Sequence, residues 1–287
     1  PHWGFAWRVG TPPPPPRVVG GAGANGGRGT RGHPPGAGGA TNHVCGGSGG
    51  GGRSARHISP QPGEYEYFYG RSGNPTRELF ERTMASLEGV EDFESMHSFG
   101  MASGMAAVTL IGELVEPGEN VVITRDVYGG TTRFFSQVMT KRGIEVNFCD
   151  LYDEKKLTSL INEKTKLVWF ESPSNPRINI FDIAKYAEIV HKSNAYLVAD
   201  GTFTSPFITR HLEHGVDIVF HSTTKYIGGH SDTLGGVVTT NNEKVWEVLF
   251  EYQKTSGAIM SPFDAYLCQR GLYTLGPRLV MHSANAH

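Results

Sequence analysis

The first 62 residues of this 287-residue chain contain no aspartate or glutamate. They hold 18 of the 38 glycines, the proline run Pro12–Pro16 and six arginines, which give the segment a formal charge of +6. The segment has too few apolar side chains for their burial to offset the chain entropy that is lost on folding. We therefore predict that this segment is disordered. It lacks the serine-rich composition that is usual in organelle transit peptides.

Cysteine is also scarce, with Cys45, Cys149 and Cys268 far apart in the chain. An odd number at wide spacing argues against a disulfide scaffold and predicts a reducing compartment. We expect the cytoplasm, or an organelle if the N-terminal segment is a transit segment. No stretch reaches the roughly 18 apolar residues of a membrane span. The net formal charge is only −2, and we predict neither a membrane nor a nucleic-acid partner.

Two local patterns are excluded by their context. The stretch "VVGGAGANGG" matches the glycine spacing of dinucleotide-binding loops, but polyproline and further glycine flank it in place of a strand and a helix. His97, His221 and His230 lack the spacing of metal ligands. No metal site is predicted.

From Tyr65 onward, apolar residues recur at the spacings of strands and helices. Strands are predicted at 120–124, 144–150, 166–172, 195–200, 216–222 and 235–240. Helices are predicted at 76–89, 103–115 with Ser103 as N-cap, 131–143, 154–162, 182–194 and 243–255. This alternation predicts an α/β fold in which helices sandwich a mostly parallel sheet.

Ligands of such sheets bind beyond the carboxyl ends of the strands. Asp200 ends one predicted strand, and the segments 172–175 and 222–225 follow two others. Taken alone, these residues have ordinary interpretations: a surface lysine at 225, a turn cap at 200 and a helix cap at Ser103. Together they match the needs of pyridoxal phosphate, which requires a lysine amine, a carboxylate at its ring nitrogen and donors for its phosphate.

With these residues assembled, the chain resembles the Cys/Met-metabolism family of pyridoxal phosphate enzymes. The matching stretches run in family order from about residue 65 to the last residue. They are "YGRSGNPTR", "ASGMAAV", "DVYGGTTRFF", "KLVWFESPSNP", "VADGTF", "HSTTKYIGGHSD" and "SPFDAYLCQRGLYTL". The resemblance implies the fold of the large domain of aspartate-aminotransferase-like enzymes.

The resemblance also implies a role for each site residue. Lys225 would form the Schiff base and move protons, and Asp200 would pair with the ring nitrogen. Tyr128 would stack on the ring and take part in catalysis. The remaining cofactor contacts that it implies are Tyr69, Arg71, Ser103, Gly104, Met105, Asn175, Ser222 and Thr224. Of these, Tyr69 and Arg71 would reach the cofactor of a neighbouring subunit, which implies a homodimer or homotetramer.

The implied reaction is carbon–sulfur cleavage of a small sulfur amino acid in transsulfuration. The motifs look most similar to those of cystathionine gamma-lyases, with cystathionine gamma-synthase and methionine gamma-lyase as alternatives. The family usually has asparagine where Gly201 stands, and this change predicts a looser loop after Asp200.

The resemblance predicts three regions: the tail 1–62, a cofactor-binding domain 63–275, and, at 276–287, the start of a helix that leads to a C-terminal domain. The family carries its substrate-carboxylate arginine in that domain, which this sequence does not include. A second hypothesis is therefore a catalytically inactive fragment.

Overall fold

A seven-stranded sheet forms the centre of the computed structural model, which describes residues 67, 69–90, 97–150 and 152–286. These residues all belong to one unit, Ser59–His287. The predicted tail 1–62, its dinucleotide-like glycines and Cys45 lie outside the described residues.

The sheet is mostly parallel, as predicted. Its strands are β1 Ser98–Met101, β2 Asn120–Thr124, β3 Glu145–Cys149, β4 Thr165–Glu171, β5 Tyr196–Asp200, β6 Ile218–His221 and β7 Gly236–Thr240. They lie in the order β1-β7-β6-β5-β4-β2-β3. The pairs formed among β2 to β6 are parallel, and β7 runs antiparallel to both of its neighbours.

Helices cover both faces of the sheet. They are α1 Pro75–Leu87, α2 Gly104–Gly112, α3 Gly129–Phe134, α4 Glu154–Leu160, α5 Ile183–Val190, α6 Ser205–Ile208, α7 Glu243–Ser256, α8 Pro262–Leu272 and α9 Leu275–Ala286. The helix predicted at 131–143 is irregular, because α3 continues as a π-helical turn over Phe135–Met139 and a 3₁₀ turn over Thr140–Arg142. No helix of the described part of the chain is long and apolar enough to cross a membrane.

The central strands β4, β5 and β6 are mostly apolar because both faces of the sheet are buried there, whereas the edge strand β3 is largely unburied. Trp169 and Val198 belong to a core cluster with residues of α2, α3 and α7. Their neighbours Phe170 and Leu197 belong to a second cluster with residues of α5. Burial of each such side chain contributes about 1.5–3 kcal/mol. The two cores hold the strand ends, and therefore the candidate site, in fixed register.

Caps fix where two of the helices begin. Asn74 accepts hydrogen bonds from the backbone of Thr76 and Arg77 at 3.0 and 3.2 Å, and Pro75 is the first residue of α1. The Ser103 hydroxyl accepts from the Ala106 backbone at 3.0 Å, which confirms the predicted cap of α2.

Candidate active site

Two buried carboxylates lie side by side at the carboxyl ends of neighbouring strands. Glu171 of β4 pairs in register with Asp200 of β5, and the two residues are 4% and 5% exposed. Side chains two positions apart on a strand share a face. Both carboxylates therefore lie on the sheet face of Trp169 and Val198, which α2 and α3 cover.

Thr202 connects Asp200 to the segment that carries the candidate lysine. Its backbone N–H donates to Asp200 Oδ1 at 2.9 Å, and its hydroxyl also hydrogen-bonds Asp200. The same hydroxyl accepts from the Ser222 N–H at 2.8 Å. Burial raises the pKa of Asp200, and the two hydrogen bonds from Thr202 oppose that rise.

Glu171 has a further link to the predicted site, because its Oε2 accepts from the Tyr128 N–H at 2.9 Å. Burial, and then the neighbouring Asp200 carboxylate, raise the pKa of Glu171 to about 8. Among the described residues, no lysine or arginine affects the pKa of either carboxyl group, and the buried His221 ring has only a minor lowering effect on the pKa of Asp200. The pair consequently favours a ligand that brings a positively charged N–H group.

The N-terminus of α2 lies close to the Ser222 segment. A Cβ atom at Gly104 would lie 3.0 Å from both Cβ and Oγ of Ser222, so only glycine leaves this approach open. The N–H groups of Gly104 and Met105 belong to the first helical turn, where the helix supplies no carbonyl to accept from them. Backbone donors beside a hydroxyl at a helix N-terminus suit an anion such as a phosphate.

Lys225 is exposed and lies one turn beyond Ser222, whose carbonyl accepts from its N–H at 3.2 Å. The Thr224 hydroxyl accepts from the Gly235 N–H at 3.1 Å and lies 3.2 Å from the Gly235 carbonyl. Gly235, the residue before β7, thus holds the segment that carries Lys225. The Lys225 amine itself is left accessible to a ligand.

Tyr128 lies beside the N-terminal turn of α2. A Cβ atom at Gly130 would lie 2.5 Å from Cε1 of Tyr128 and 2.8 Å from Sδ of Met105. The Tyr128 side chain is 52% exposed. The structure therefore brings Tyr128, Met105, Glu171 and Asp200 into one neighbourhood.

Three of the sequence-predicted residues form no hydrogen bond with this neighbourhood in the described part of the chain. Tyr69 and Asn175 are exposed. Arg71 donates to the carbonyl of Lys254 at the end of α7, and its guanidinium lies 5.0 Å from the centre of the Tyr69 ring. Within a single chain, Tyr69 and Arg71 lie apart from Asp200, and their role at a neighbouring subunit's cofactor stays a prediction.

The loop after Asp200 is tight, so the looser loop expected from Gly201 is wrong. The Gly201 N–H donates to the Phe220 carbonyl at 2.9 Å. A Cβ atom at Gly201 would lie 2.5 Å from Cε1 of His221 and 2.9 Å from Cε1 of His211. His221 is held in turn by the buried Glu88 carboxylate, 2.6 Å from Nε2. Glycine is the residue that this packing admits.

Glu171 and Thr202 were not predicted from the sequence as residues of the site. A usable signal was present for Glu171, because it ends the apolar run "KLVWFE" as Asp200 ends "AYLVAD". For Thr202 the sequence offers none, since its role depends on two strands being neighbours.

The residues fit pyridoxal phosphate on these observations. Two buried carboxylates with no lysine or arginine partner among the described residues suit its protonated ring nitrogen, and the N-terminus of α2 with Ser222 suits its phosphate. The accessible amine of Lys225 suits its aldehyde.

Comparison with known proteins gives the same result. The model of a family described as Cys/Met metabolism PLP-dependent enzyme matches residues 53–287. Cystathionine beta-lyase of Coxiella burnetii is 46% identical over 236 residues, which cover 81% of this chain and 60% of the relative. Cystathionine gamma-lyase of Dictyostelium discoideum is 43% identical over 235 residues, covering 81% and 59%. The chain thus spans about 60% of the length of these relatives.

Solved structures confirm the predicted fold class. Cystathionine gamma-lyase from Lactobacillus plantarum, complexed with L-serine, superposes with a TM-score of 0.71 at 36% identity, covering 75% of this chain and 55% of that one. The structure of metB from Corynebacterium glutamicum gives a TM-score of 0.70 at 40% identity, covering 78% and 59%.

Proposed function

The chain belongs to the Cys/Met metabolism family of PLP-dependent enzymes, and from this premise we propose that it is a carbon–sulfur lyase that cleaves cystathionine. The observation that supports the proposal most strongly is the pair Glu171 and Asp200, buried carboxylates at the strand ends that have no lysine or arginine partner among the described residues. Relatives named cystathionine beta-lyase and gamma-lyase support the substrate class.

Pyridoxal phosphate, when bound, withdraws electrons from the carbon atoms of an attached amino acid. Asp200 would keep a proton on the ring nitrogen through its carboxylate. Ser222, Thr224 and the first-turn N–H groups of Gly104 and Met105 would hold the phosphate. Tyr128 would cover the face of the ring, and Glu171 would fix the Tyr128 backbone through the 2.9 Å hydrogen bond.

Lys225 would bind the cofactor through Nζ, and its amine, once the substrate amine has replaced it, would act as the base of the reaction. Its amine would take a proton from the α carbon of the substrate and move protons at the β carbon, so that the sulfur on the γ carbon can leave. The exposed position in the turn that follows β6 gives Nζ room to reach both carbon atoms.

Cleavage at the γ carbon is our first choice, on the likeness of the motifs to cystathionine gamma-lyases. Cleavage at the β carbon is the second candidate, because the Coxiella burnetii beta-lyase is 46% identical to this chain. The two reactions give different products from cystathionine. The γ reaction gives cysteine, 2-oxobutanoate and ammonia, whereas the β reaction gives homocysteine, pyruvate and ammonia.

The experiment is to incubate the purified chain with pyridoxal phosphate and cystathionine and to identify the keto acid by mass spectrometry. 2-Oxobutanoate, absent with Lys225→Ala, is the expected result, and pyruvate would move the assignment to a beta-lyase. A chain that binds the cofactor but forms neither keto acid would be the inactive protein of the second hypothesis. In the same assay, methionine as the substrate tests for a methionine gamma-lyase. Activated homoserine together with cysteine tests for a cystathionine gamma-synthase.

We further propose that the enzyme is a homodimer or homotetramer in which Tyr69 and Arg71 contact the cofactor phosphate of a neighbouring subunit. The resemblance of "YGRSGNPTR" supports this role. Both side chains are exposed, and neither has a described contact with Asp200 of its own chain. A guanidinium is well suited to a phosphate because it donates two parallel hydrogen bonds.

A further inference from the structure

The last helix of the described chain, α9, contacts the loop that follows Lys225. Arg278 of α9 donates through Nη1 to the carbonyl of Tyr226 at 2.6 Å. It donates through Nη2 to the carbonyl of Gly271 at the end of α8, at 2.8 Å. Its Nε donates to the Thr274 hydroxyl at 3.1 Å. One guanidinium thus joins the residue next to Lys225 to two points on the α8–α9 connection.

Glycines make this contact possible. Gly229 has a positive φ of 76°, and a Cβ atom there would overlap the Arg278 guanidinium. A Cβ atom at Gly271 would overlap the carbonyl oxygens of Ile227 and Gly228. The loop therefore lies directly on α8 and on the arginine, with no side chain between them.

The loop is also closed on itself around the lysine. The Gly228 N–H donates to the Thr223 carbonyl at 2.7 Å, and the Gly229 N–H donates to the Lys225 carbonyl at 2.8 Å. These two bonds fix the backbone of Lys225 relative to the end of β6. A second contact from α9 adds to them, because the rings of Tyr226 and His282 lie 5.3 Å apart.

We propose that Arg278 is a positioning residue for Lys225, holding the 225–229 loop so that Nζ reaches the cofactor aldehyde. The inference rests on the proposed function for the role of Lys225, although the contacts themselves do not depend on a cofactor. A charged donor to a carbonyl is stronger than a neutral one, and the planar guanidinium serves two carbonyls at once. A lysine at position 278 lacks the planar, two-pronged guanidinium, so its amine would hydrogen-bond only one of the two carbonyls, that of Tyr226 or that of Gly271.

The test compares Arg278→Gln, Arg278→Lys and Arg270→Gln, which removes an exposed arginine from the neighbouring α8. Amide hydrogen exchange is measured first, in the cofactor-free chain. Arg278→Gln should raise exchange at Gly228 and Gly229 roughly tenfold or more, because charged hydrogen bonds are lost. Arg278→Lys should fall between the wild type and Arg278→Gln, and Arg270→Gln should match the wild type. Unchanged exchange in Arg278→Gln would overturn the proposal.

A second readout connects the loop to the lysine. The rate at which added pyridoxal phosphate becomes bound to Lys225 should fall at least severalfold in Arg278→Gln and remain normal in Arg270→Gln. If Arg278→Gln does not fold, Arg278→Lys decides both measurements, and wild-type values in it would contradict the proposal. If the wild type shows slow exchange at Gly228 but pyridoxal phosphate does not become bound to Lys225, the proposed function is contradicted. The proposed effect of Arg278 on the loop is not contradicted by that result.

Discussion

Glu171 and Asp200 are paired in register on adjacent parallel strands, and both of their carboxyl groups are buried on the same face of the sheet. Since no lysine or arginine of the described residues offsets their charges, one ionised carboxylate disfavours ionisation of the other. Asp200 is held by two hydrogen bonds from Thr202, whereas Glu171 accepts one from the Tyr128 backbone. Glu171 is therefore the member of the pair that holds a proton near neutral pH.

This relationship predicts how stability depends on pH. The pKa of Glu171 is raised from 4.5 to about 8 in the folded chain, so the folded chain holds a proton that the unfolded chain releases between these values. The free energy of unfolding should therefore fall as pH rises through this window. Urea unfolding of the cofactor-free chain should show the wild type losing about 2–4 kcal/mol more than Glu171→Gln between pH 5 and pH 8.5.

The matched control is Glu247→Gln, which alters an exposed glutamate of α7. It should keep the pH dependence of the wild type. Equal pH dependence in Glu171→Gln and the wild type would show that Glu171 is ionised like an ordinary surface carboxylate.

Replacement of Asp200 by asparagine should have opposite effects on stability and on cofactor binding. The change removes a buried charge that no lysine or arginine of the described residues offsets, so the free energy of unfolding of the cofactor-free chain should rise by about 1 kcal/mol or more. The affinity for pyridoxal phosphate should fall at least about tenfold, because the ring nitrogen loses its carboxylate. Chemical unfolding and a fluorescence titration measure the two effects. A fall in both would indicate a purely structural role for Asp200.

Gly104→Ala tests the anion site at the N-terminus of α2. The new Cβ would lie 3.0 Å from the Ser222 Oγ and occupy the space assigned to the phosphate. We expect the affinities for pyridoxal phosphate and for inorganic phosphate to fall together. Gly129→Ala is the control, since a Cβ there meets no atom within 4 Å. Phosphate affinity that survives in Gly104→Ala would place the anion elsewhere.

The shared site predicts complementation between two defective chains. Lys225→Ala and Arg71→Ala should each retain little cofactor after gel filtration. In a mixed dimer one site combines Lys225 of one chain with Arg71 of the other, so an equal mixture should recover about a quarter of the wild-type sites. Cofactor retention in the refolded mixture measures this recovery. No recovery would indicate that Arg71 acts within its own chain or only structurally.

Local patterns in the sequence predicted most of the sheet. The run 120–124 was predicted to its last residue, because four consecutive apolar or β-branched residues, 121–124, stand between polar residues. The strand β1 was missed, since "SFGM" is four residues long and contains glycine, and its pairing with β7 joins residues more than a hundred positions apart. Tertiary pairing of this kind leaves no local pattern.

The site was predicted in part for the same reason. Lys225, Asp200 and Ser103 stand in motifs: Asp200 ends β5, Ser103 caps α2, and Lys225 lies in the turn after β6. The proximity of Glu171 to Asp200 depends on β4 lying beside β5. The hydrogen bond from Arg278 to the Tyr226 carbonyl joins residues that are 52 positions apart in the sequence. Their effects are set by burial and by neighbours from other elements, which periodicity does not report.

The most direct test of the account is to find which lysine binds pyridoxal phosphate. The chain is incubated with the cofactor, reduced with borohydride, digested and mapped by mass spectrometry. We expect one modified lysine, Lys225, in the wild type and none in Lys225→Ala. Modification spread over several surface lysines, or equal labelling of the wild type and Lys225→Ala, would contradict it.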